Sequence, residues 1–282
     1  MKYEILNNLI LEVTRDCNLE CENCYKGEKQ EKYMSMETID NAFSVVTKIY
    51  TLRITGGEPL LALDQLKRIY KNISEKKCEV NIIEIYTNGT IISSELIDVL
   101  KKLSEFSDVV MIYEKNGFKQ LEYNKKGLED IVKNNFIEYS KYVEVVEDLK
   151  GIGSRYVYLV GKACNLTDKD LKRADDISGI KHTFKDDGDF YLTRGLHHNA
   201  RIYISSTKTL TIYGDAFVTV DGNICAIAPD YHTYEDEDIL AVSNINEYGN
   251  VFDTVLNVNN IVYNNRFYEE SLDDFKKRIY KK

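Results

Sequence analysis

The sequence predicts an α/β protein built on a parallel sheet, with a smaller β-rich region after it. Three observations predict this. Short apolar runs alternate with amphipathic helical stretches through residues 1–180, the pattern of βα units. Strand-like runs then follow one another with little helix between them. The chain has 282 residues, 43% of them hydrophobic, enough for one large core with a modest appendage.

The first expected strand is Leu9 to Val13. Ser35 can cap a helix running to about Tyr50, and Leu52 to Thr55 reads as the second strand. A second helix begins after Leu61, marked by Ile69 and Ile73. Val80 to Tyr86 is the third strand, and Ser93 or Ser94 can cap a third helix with Leu96, Ile97, Leu100 and Leu103 on one face. Val109 to Tyr113, Tyr142 to Val146 and Arg155 to Val160 complete the strands of this region. Thr167 can cap a further helix with Asp170 at its third position, as in a capping box. About six βα units can be counted, the fifth being poorest because little helix fits between Val146 and Arg155.

Beyond residue 180 the strand-like runs are Arg201 to Ser205, Thr209 to Tyr213 and Phe217 to Val220. Asp221-Gly222 reads as a hairpin turn into Ile224-Cys225-Ala226. Glu235 to Asp238 reads as an exposed acidic loop and Ser271 to Lys282 as a terminal helix. The expected division is therefore 1–180 for the parallel unit and 181–282 for the β-rich extension.

The net charge of -9 disfavours general binding to phosphate backbones. Short basic runs such as Lys125-Lys126 and Lys276-Lys277-Arg278 read as solvated faces. No stretch approaches the roughly 20 apolar residues that span a bilayer. The start, Met1-Lys2-Tyr3-Glu4, carries no secretion signal. The expectation is a cytoplasmic protein with no membrane partner.

Chemistry concentrates in three places. Cys17, Cys21 and Cys24 share one tight loop directly after the first strand, while Cys78, Cys164 and Cys225 lie apart. Clustered thiols in a cytoplasmic chain favour metal. Three thiolates can hold three irons of a cuboidal cluster and leave the fourth open. Zinc, which usually takes four protein ligands, and unliganded redox cysteines are the alternatives. Thr55-Gly56-Gly57-Glu58-Pro59 follows the second strand; its glycines admit close backbone approach and its glutamate can accept from an ammonium. Read alone, it is also an ordinary strand-to-helix turn. Thr87-Asn88-Gly89-Thr90 follows the third strand and is likewise an ordinary turn by itself. All three fall at strand C-termini, the edge where α/β sheets and barrels bind ligands.

These ordered motifs resemble the radical S-adenosylmethionine (radical SAM) superfamily, well over residues 5 to 110 and loosely beyond. The resemblance implies a partial (β/α)6 barrel with a [4Fe-4S] cluster on Cys17, Cys21 and Cys24 and S-adenosylmethionine (SAM) on the open iron. It implies that Gly56, Gly57 and Glu58 receive the SAM amino group and that Thr87 or Asn88 lines the SAM pocket. It further implies that reduction of the cluster cleaves SAM to a 5'-deoxyadenosyl radical, which abstracts hydrogen from a substrate. The chain departs from the pattern in two places. The aromatic expected before the third cysteine is Asn23, leaving Tyr25 on the far side as the adenine contact. The Ser-x-Asp-Gly expected after the fourth strand is absent, leaving Glu114 as a substitute for the ribose contact.

Within the superfamily, Thr87 to Leu96 resembles the peptide-modifying branch. Val218 to Cys225 looks like the opening of a SPASM or twitch extension, echoed later by Asn244-Ile245 and Gly249-Asn250-Val251. Only Cys225 stands there, so the extension reads as degenerate and without an auxiliary cluster, the alternative being a cluster assisted by unusual ligands (Asp, His232). Cys225 is either a hydrogen-atom donor to a substrate radical or a small buried strand residue. His197-His198 makes a poor shared ligand pair, because adjacent strand residues point to opposite faces. With the cysteine loop starting at residue 17, no leader-binding domain is expected before it. The leading expectation is an oxygen-sensitive enzyme that epimerises or cross-links a ribosomally made peptide, served by an external flavodoxin- or ferredoxin-type electron donor. The alternatives are a radical SAM enzyme acting on a small metabolite or nucleotide, and a non-catalytic iron–sulfur or zinc protein.

Overall fold

Residues rich in Ile, Val and Leu build a sheet whose two faces differ in chemistry. The computed structural model describes residues 3–113, 116–147, 156–158, 161–185, 201–204, 210–225 and 241–247. Strands β1 (Tyr3–Thr14), β2 (Val46–Gly56), β3 (Glu79–Thr87), β4 (Asp108–Tyr113) and β5 (Glu144–Glu147) lie side by side and parallel. On the other side of β1 lies β9 (Leu210–Val218), also parallel, with Leu11 opposite Val218. β8 (Arg201–Ile204) and β10 (Asn223–Cys225) pair antiparallel with β9, and β11 (Ala241–Asn244) with β10. The result is one nine-stranded sheet, ordered β11-β10-β9-β1-β2-β3-β4-β5 with β8 on β9. β6 (Tyr156–Tyr158) and β7 (Thr183–Lys185) form a separate two-stranded parallel sheet. The expected mixed α/β architecture with an unclosed parallel sheet is present.

The helices are α1 (Met36–Ser44), α2 (Leu63–Ser74), α3 (Ser94–Ser104), α4 (Gly117–Lys126), α5 (Glu129–Tyr139) and α6 (Asp168–Ser178). Their starts follow the expected chemistry. Ser35 accepts from the Thr38 amide at 3.0 Å and Ser93 from the Leu96 amide at 3.1 Å, and Asp170 accepts from the Thr167 amide at 2.8 Å. Caps of this kind are worth about 1 kcal/mol each.

Side chains alternate across β1. Leu9, Leu11 and Val13 join Phe43, Leu66, Ile69, Leu96, Leu100 and Leu103 in the main core between sheet and helices. Ile10, Glu12 and Thr14 alternate with them. Next to Ile10 in register stand Arg53 and then Glu84, which pair at 2.8 Å.

Two expectations are corrected. The first helix ends at Ser44, and Val46 to Tyr50 belongs to β2 rather than to the helix. Val45, Val46 and Ile49 also fit a helical spacing, but Ile49 is fully buried between Leu6 of β1 and Val80 of β3. Pairing on both sides decides the matter where local preference is balanced. The sixth strand, described over Tyr156–Tyr158, pairs with β7 in a separate sheet rather than extending the main one.

The Asp221-Gly222 hairpin forms as expected. Ile224 faces Val218, the Thr219 amide donates to Asn223 O at 2.9 Å, and the Gly222 amide donates to Thr219 O at 2.9 Å. The expected acidic loop at Glu235 to Asp238 and the helix at Ser271 to Lys282 lie outside the described residues. No helix among the described residues is long and apolar enough to cross a membrane.

Candidate active site

Parallel β1, β2 and β3 all end at one sheet edge, so the three motifs are brought together there. The cysteine loop leaves β1 at Thr14 and returns at Tyr33, with both feet tied. The Arg15 amide donates to Lys32 O at 2.9 Å, the Gln30 amide to Arg15 O at 3.1 Å, and the Met34 amide to Val13 O at 2.9 Å. Thr14 Oγ1 donates to Lys32 O at 2.8 Å and accepts from the Asp16 amide at 3.0 Å. Inside the loop the Cys24 amide donates to Cys21 O at 3.2 Å. Cys24 O accepts from the Gly27 amide at 3.3 Å and from the Lys162 amide at 2.9 Å, which seats the short 3-10 helix Gly161–Asn165 against the third cysteine.

Cys17, Cys21 and Cys24 are all partly exposed. Leu19 packs with Tyr113, Tyr123 and Val132, and Cys17 and Cys21 lie against this cluster. Burial pushes the Cys17 thiol up to about 11, opposed by the Leu19 amide and Lys119. Burial likewise pushes Cys21 up to about 12, with Lys119 again opposing. Without a bound cation these thiols therefore stay protonated at neutral pH; iron would take them as thiolates and release the protons. Among the described residues no three His, Cys, Asp or Glu side chains converge on a point that one ion would fill. A four-iron cluster spreads its sulfur ligands wider than a single tetrahedral ion does. A donor set of thiols on one pinned, half-sheltered loop suits that cofactor.

Gly56 and Gly57 face the first strand and its loop. A Cβ on Gly56 would lie 2.3 Å from Thr14 O, and one on Gly57 would lie 2.2 Å from Asp16 O. The close approach allows the Gly57 amide to donate to Thr14 O at 2.9 Å and the Glu58 amide to Asp16 O at 2.8 Å. The glycines thus weld β2 to the cysteine loop.

Glu58 is 1% exposed, and its carboxylate binds protein donors. Oε1 accepts from the Leu60 amide at 3.0 Å and Thr87 Oγ1 at 2.8 Å, while Oε2 accepts from the Asn88 amide at 2.7 Å. Burial pushes its pKa up, against these donors and the Lys119 charge. The carboxylate therefore clamps the second motif to the third.

Thr87 and Asn88 are both buried, and the third motif leans over the first cysteine. Asn88 Nδ2 donates to Asn18 Oδ1 at 3.0 Å and lies 3.9 Å from Cys17 Sγ. Asn88 Oδ1 accepts from the Thr90 amide at 3.0 Å. Tyr123 donates its hydroxyl to Asn88 O at 2.6 Å; burial pushes that phenol strongly up, so it remains a donor. Tyr25 is partly exposed, with Lys26 Nζ 5.7 Å from its ring centre.

Other expected residues fall elsewhere. Glu114 lies outside the described residues, as do His197, His198 and His232. Cys225 is the last residue of β10, opposite Phe217 and Ala241; its backbone is described and its side chain is not.

Sequence reasoning missed Glu12, Arg15 and Lys26, three charged residues buried at the base of the loop. A glutamate inside the apolar run Leu9 to Val13 was the available signal. It also missed Lys119 in the first turn of α4, whose charge acts on Cys17, Cys21 and Glu58. A lone lysine in an amphipathic helix gives no such signal.

Comparison with known proteins agrees with this geometry. A protein of Methanocaldococcus jannaschii, described as uncharacterized, is 32% identical over 127 residues, covering 40% of this chain and 44% of that one. A probable GTP 3',8-cyclase of Methanococcus aeolicus is 26% identical over 224 residues, covering 71% and 73%. The chain spans less than half the length of the two Methanocaldococcus jannaschii relatives it matches. Among solved structures, native anSMEcpe with bound AdoMet and a Cp18Cys peptide superposes with a TM-score of 0.54 at 15% identity, covering 91% of this chain and 82% of that one. The radical SAM superfamily model matches residues 11–177, more than half of the chain. With the motifs assembled at one sheet edge, the chain belongs to the radical SAM superfamily, whose cofactors are a [4Fe-4S] cluster and SAM.

Proposed function

We propose that this enzyme modifies a ribosomally made peptide by hydrogen abstraction, leading to epimerisation or a cross-link. The observation that carries the radical reading is the convergence of the cysteine loop, Gly56-Gly57-Glu58 and Thr87-Asn88 through direct hydrogen bonds. When bound, the cluster and SAM supply one electron and a primary carbon radical that takes hydrogen from the substrate. Cys17, Cys21 and Cys24 would hold the cluster. Gly56, Gly57 and Glu58 would offer acceptors to the SAM amino group. Thr87 and Asn88 would close the pocket beside Cys17, and Tyr25 and Glu114 would serve the adenosine end. Residues 1–180 would carry this chemistry and 181–282 would help hold the substrate. A flavodoxin- or ferredoxin-type protein would deliver the electron.

The peptide assignment is supported by the resemblance of Thr87 to Leu96 and Val218 to Cys225 to peptide-modifying relatives. A nucleotide substrate is the second reading, favoured by the Methanococcus aeolicus relative named as a probable GTP 3',8-cyclase. The test is anaerobic reconstitution, reduction with dithionite and assay for 5'-deoxyadenosine. Its formation should rise with peptides encoded by short reading frames beside this gene. Stimulation by GTP instead moves the assignment to the nucleotide reading, and no deoxyadenosine at all defeats both.

Cys225 is proposed as the hydrogen-atom donor that quenches the substrate radical. Cys225→Ala should leave deoxyadenosine formation within about twofold of wild type and abolish the peptide product. Normal product from this variant would return Cys225 to an ordinary strand position.

A further inference from the structure

A buried ion network lies where β1, the cysteine loop and the C-terminal hairpin meet. Glu12 is 1% exposed, Arg15 4% and Lys26 5%. Glu12 Oε2 accepts from Arg15 Nε at 3.1 Å and from the Val220 amide at 3.3 Å, and Oε1 lies 3.5 Å from Lys26 Nζ. Arg15 Nη1 also reaches Gln30 Oε1 at 3.4 Å. Lys26 Nζ stands 5.4 Å from the ring centre of Phe217, close enough for a cation–π contact.

One carboxylate therefore grips three parts of the molecule. Arg15 precedes Cys17, Lys26 follows Cys24, and Val220 belongs to the β9–β10 turn. Apolar residues of similar volume commonly stabilise a fold as well as a buried ion network does. Stability alone does not account for the arrangement. Arg15 and Lys26 stand two residues outside Cys17 and Cys24, at the two ends of the cysteine run. Reduction adds an electron to the cluster. A cation fixed in a poorly screened interior favours that state, and an anion opposes it.

We propose that Glu12 is a positioning residue that fixes Arg15 and Lys26 against the cysteine loop, and that this network sets the reduction potential of the cluster. The proposal rests on the reading of the loop as the cluster site. Lys26 and Glu12 act with opposite sign, which separates an electrostatic role from a merely structural one.

The experiment is an anaerobic redox titration of the reconstituted full chain, without SAM, followed by electron paramagnetic resonance. Lys26→Met keeps the apolar stem against Phe217, and Glu12→Gln keeps an acceptor for the Val220 amide. Lys26→Met should lower the ratio of reduced to oxidised cluster about tenfold at a fixed poise, a midpoint about 59 mV more negative. Glu12→Gln should move the midpoint in the positive direction. If Lys26→Met does not accumulate folded, Lys26→Gln carries the same expected sign. Unshifted midpoints, or shifts of one sign in both variants, overturn the proposal while leaving the cluster reading intact. A wild-type chain that takes up no iron overturns both.

Discussion

Alanine at Cys17, Cys21 or Cys24 is expected to remove the visible absorption of the reconstituted protein and to bring deoxyadenosine formation to background. On the proposed reading each thiol is one of three anchors for a cofactor whose fourth iron must stay open to SAM, so the loop offers no spare thiol. Cys78 is buried in the main core, and Cys164 lies in the 3-10 helix beyond Cys24. Iron and sulfide counts on the anaerobic variants check the first half of the expectation and product chromatography the second. The feet of the loop are tied by backbone groups and Thr14, and the thiol contacts are the long ones at Cys17 Sγ, from the Leu19 amide at 3.4 Å and Asn88 Nδ2 at 3.9 Å, so folding should survive; circular dichroism should match wild type. Full turnover in any one variant would refute the assignment of that thiol.

Gly57→Ala is expected to destabilise the fold by about 3 kcal/mol, the upper range for forcing extra volume into a packed site. The new Cβ would stand 2.2 Å from Asp16 O, 2.7 Å from Asp16 C and 3.0 Å from Arg15 O. All three are backbone atoms, so no rotamer change relieves the contact. To make room, the chain must break the bond from the Glu58 amide to Asp16 O, which ties the second motif to the first. At about 2–4 °C per kcal/mol for a domain of this size, the melting temperature should fall by roughly 6–12 °C. Iron loading should fall with it. An unchanged melting curve would mean that the loop shifts at no cost.

Much of the architecture is legible locally. Ser35, Ser93 and the Thr167–Asp170 pair announce helix starts because capping is decided within four residues. Asp221-Gly222 announces its hairpin for the same reason. Val46 to Tyr50 is not legible, because its preference is ambiguous and its fate depends on β1 and β3. The three motifs are legible as residues, yet their mutual roles are not. Gly56 and Gly57 read as openings for a ligand, and that their missing side chains also make room for Thr14 and Asp16 is not written in the local sequence. Glu58 reads as an acceptor for a foreign ammonium, and its additional bonds from Leu60, Thr87 and Asn88 depend on partners that the local sequence does not name. Glu12, Arg15, Lys26 and Val220 meet across gaps in sequence that no local pattern encodes.

The place of β9 beside β1 has a consequence for biosynthesis. Leu11 leaves the ribosome well before its neighbour Val218, which emerges roughly 10–40 s later at 5–20 residues per second. Until then one border of the nascent sheet has no mate, and the Glu12 carboxylate lacks the Val220 amide. Such late closure slows maturation and leaves an open flank for aggregation. Iron loading of this protein in cells should therefore wait for the emergence of β9, and translation pausing before Leu210 should yield a colourless, sticky product.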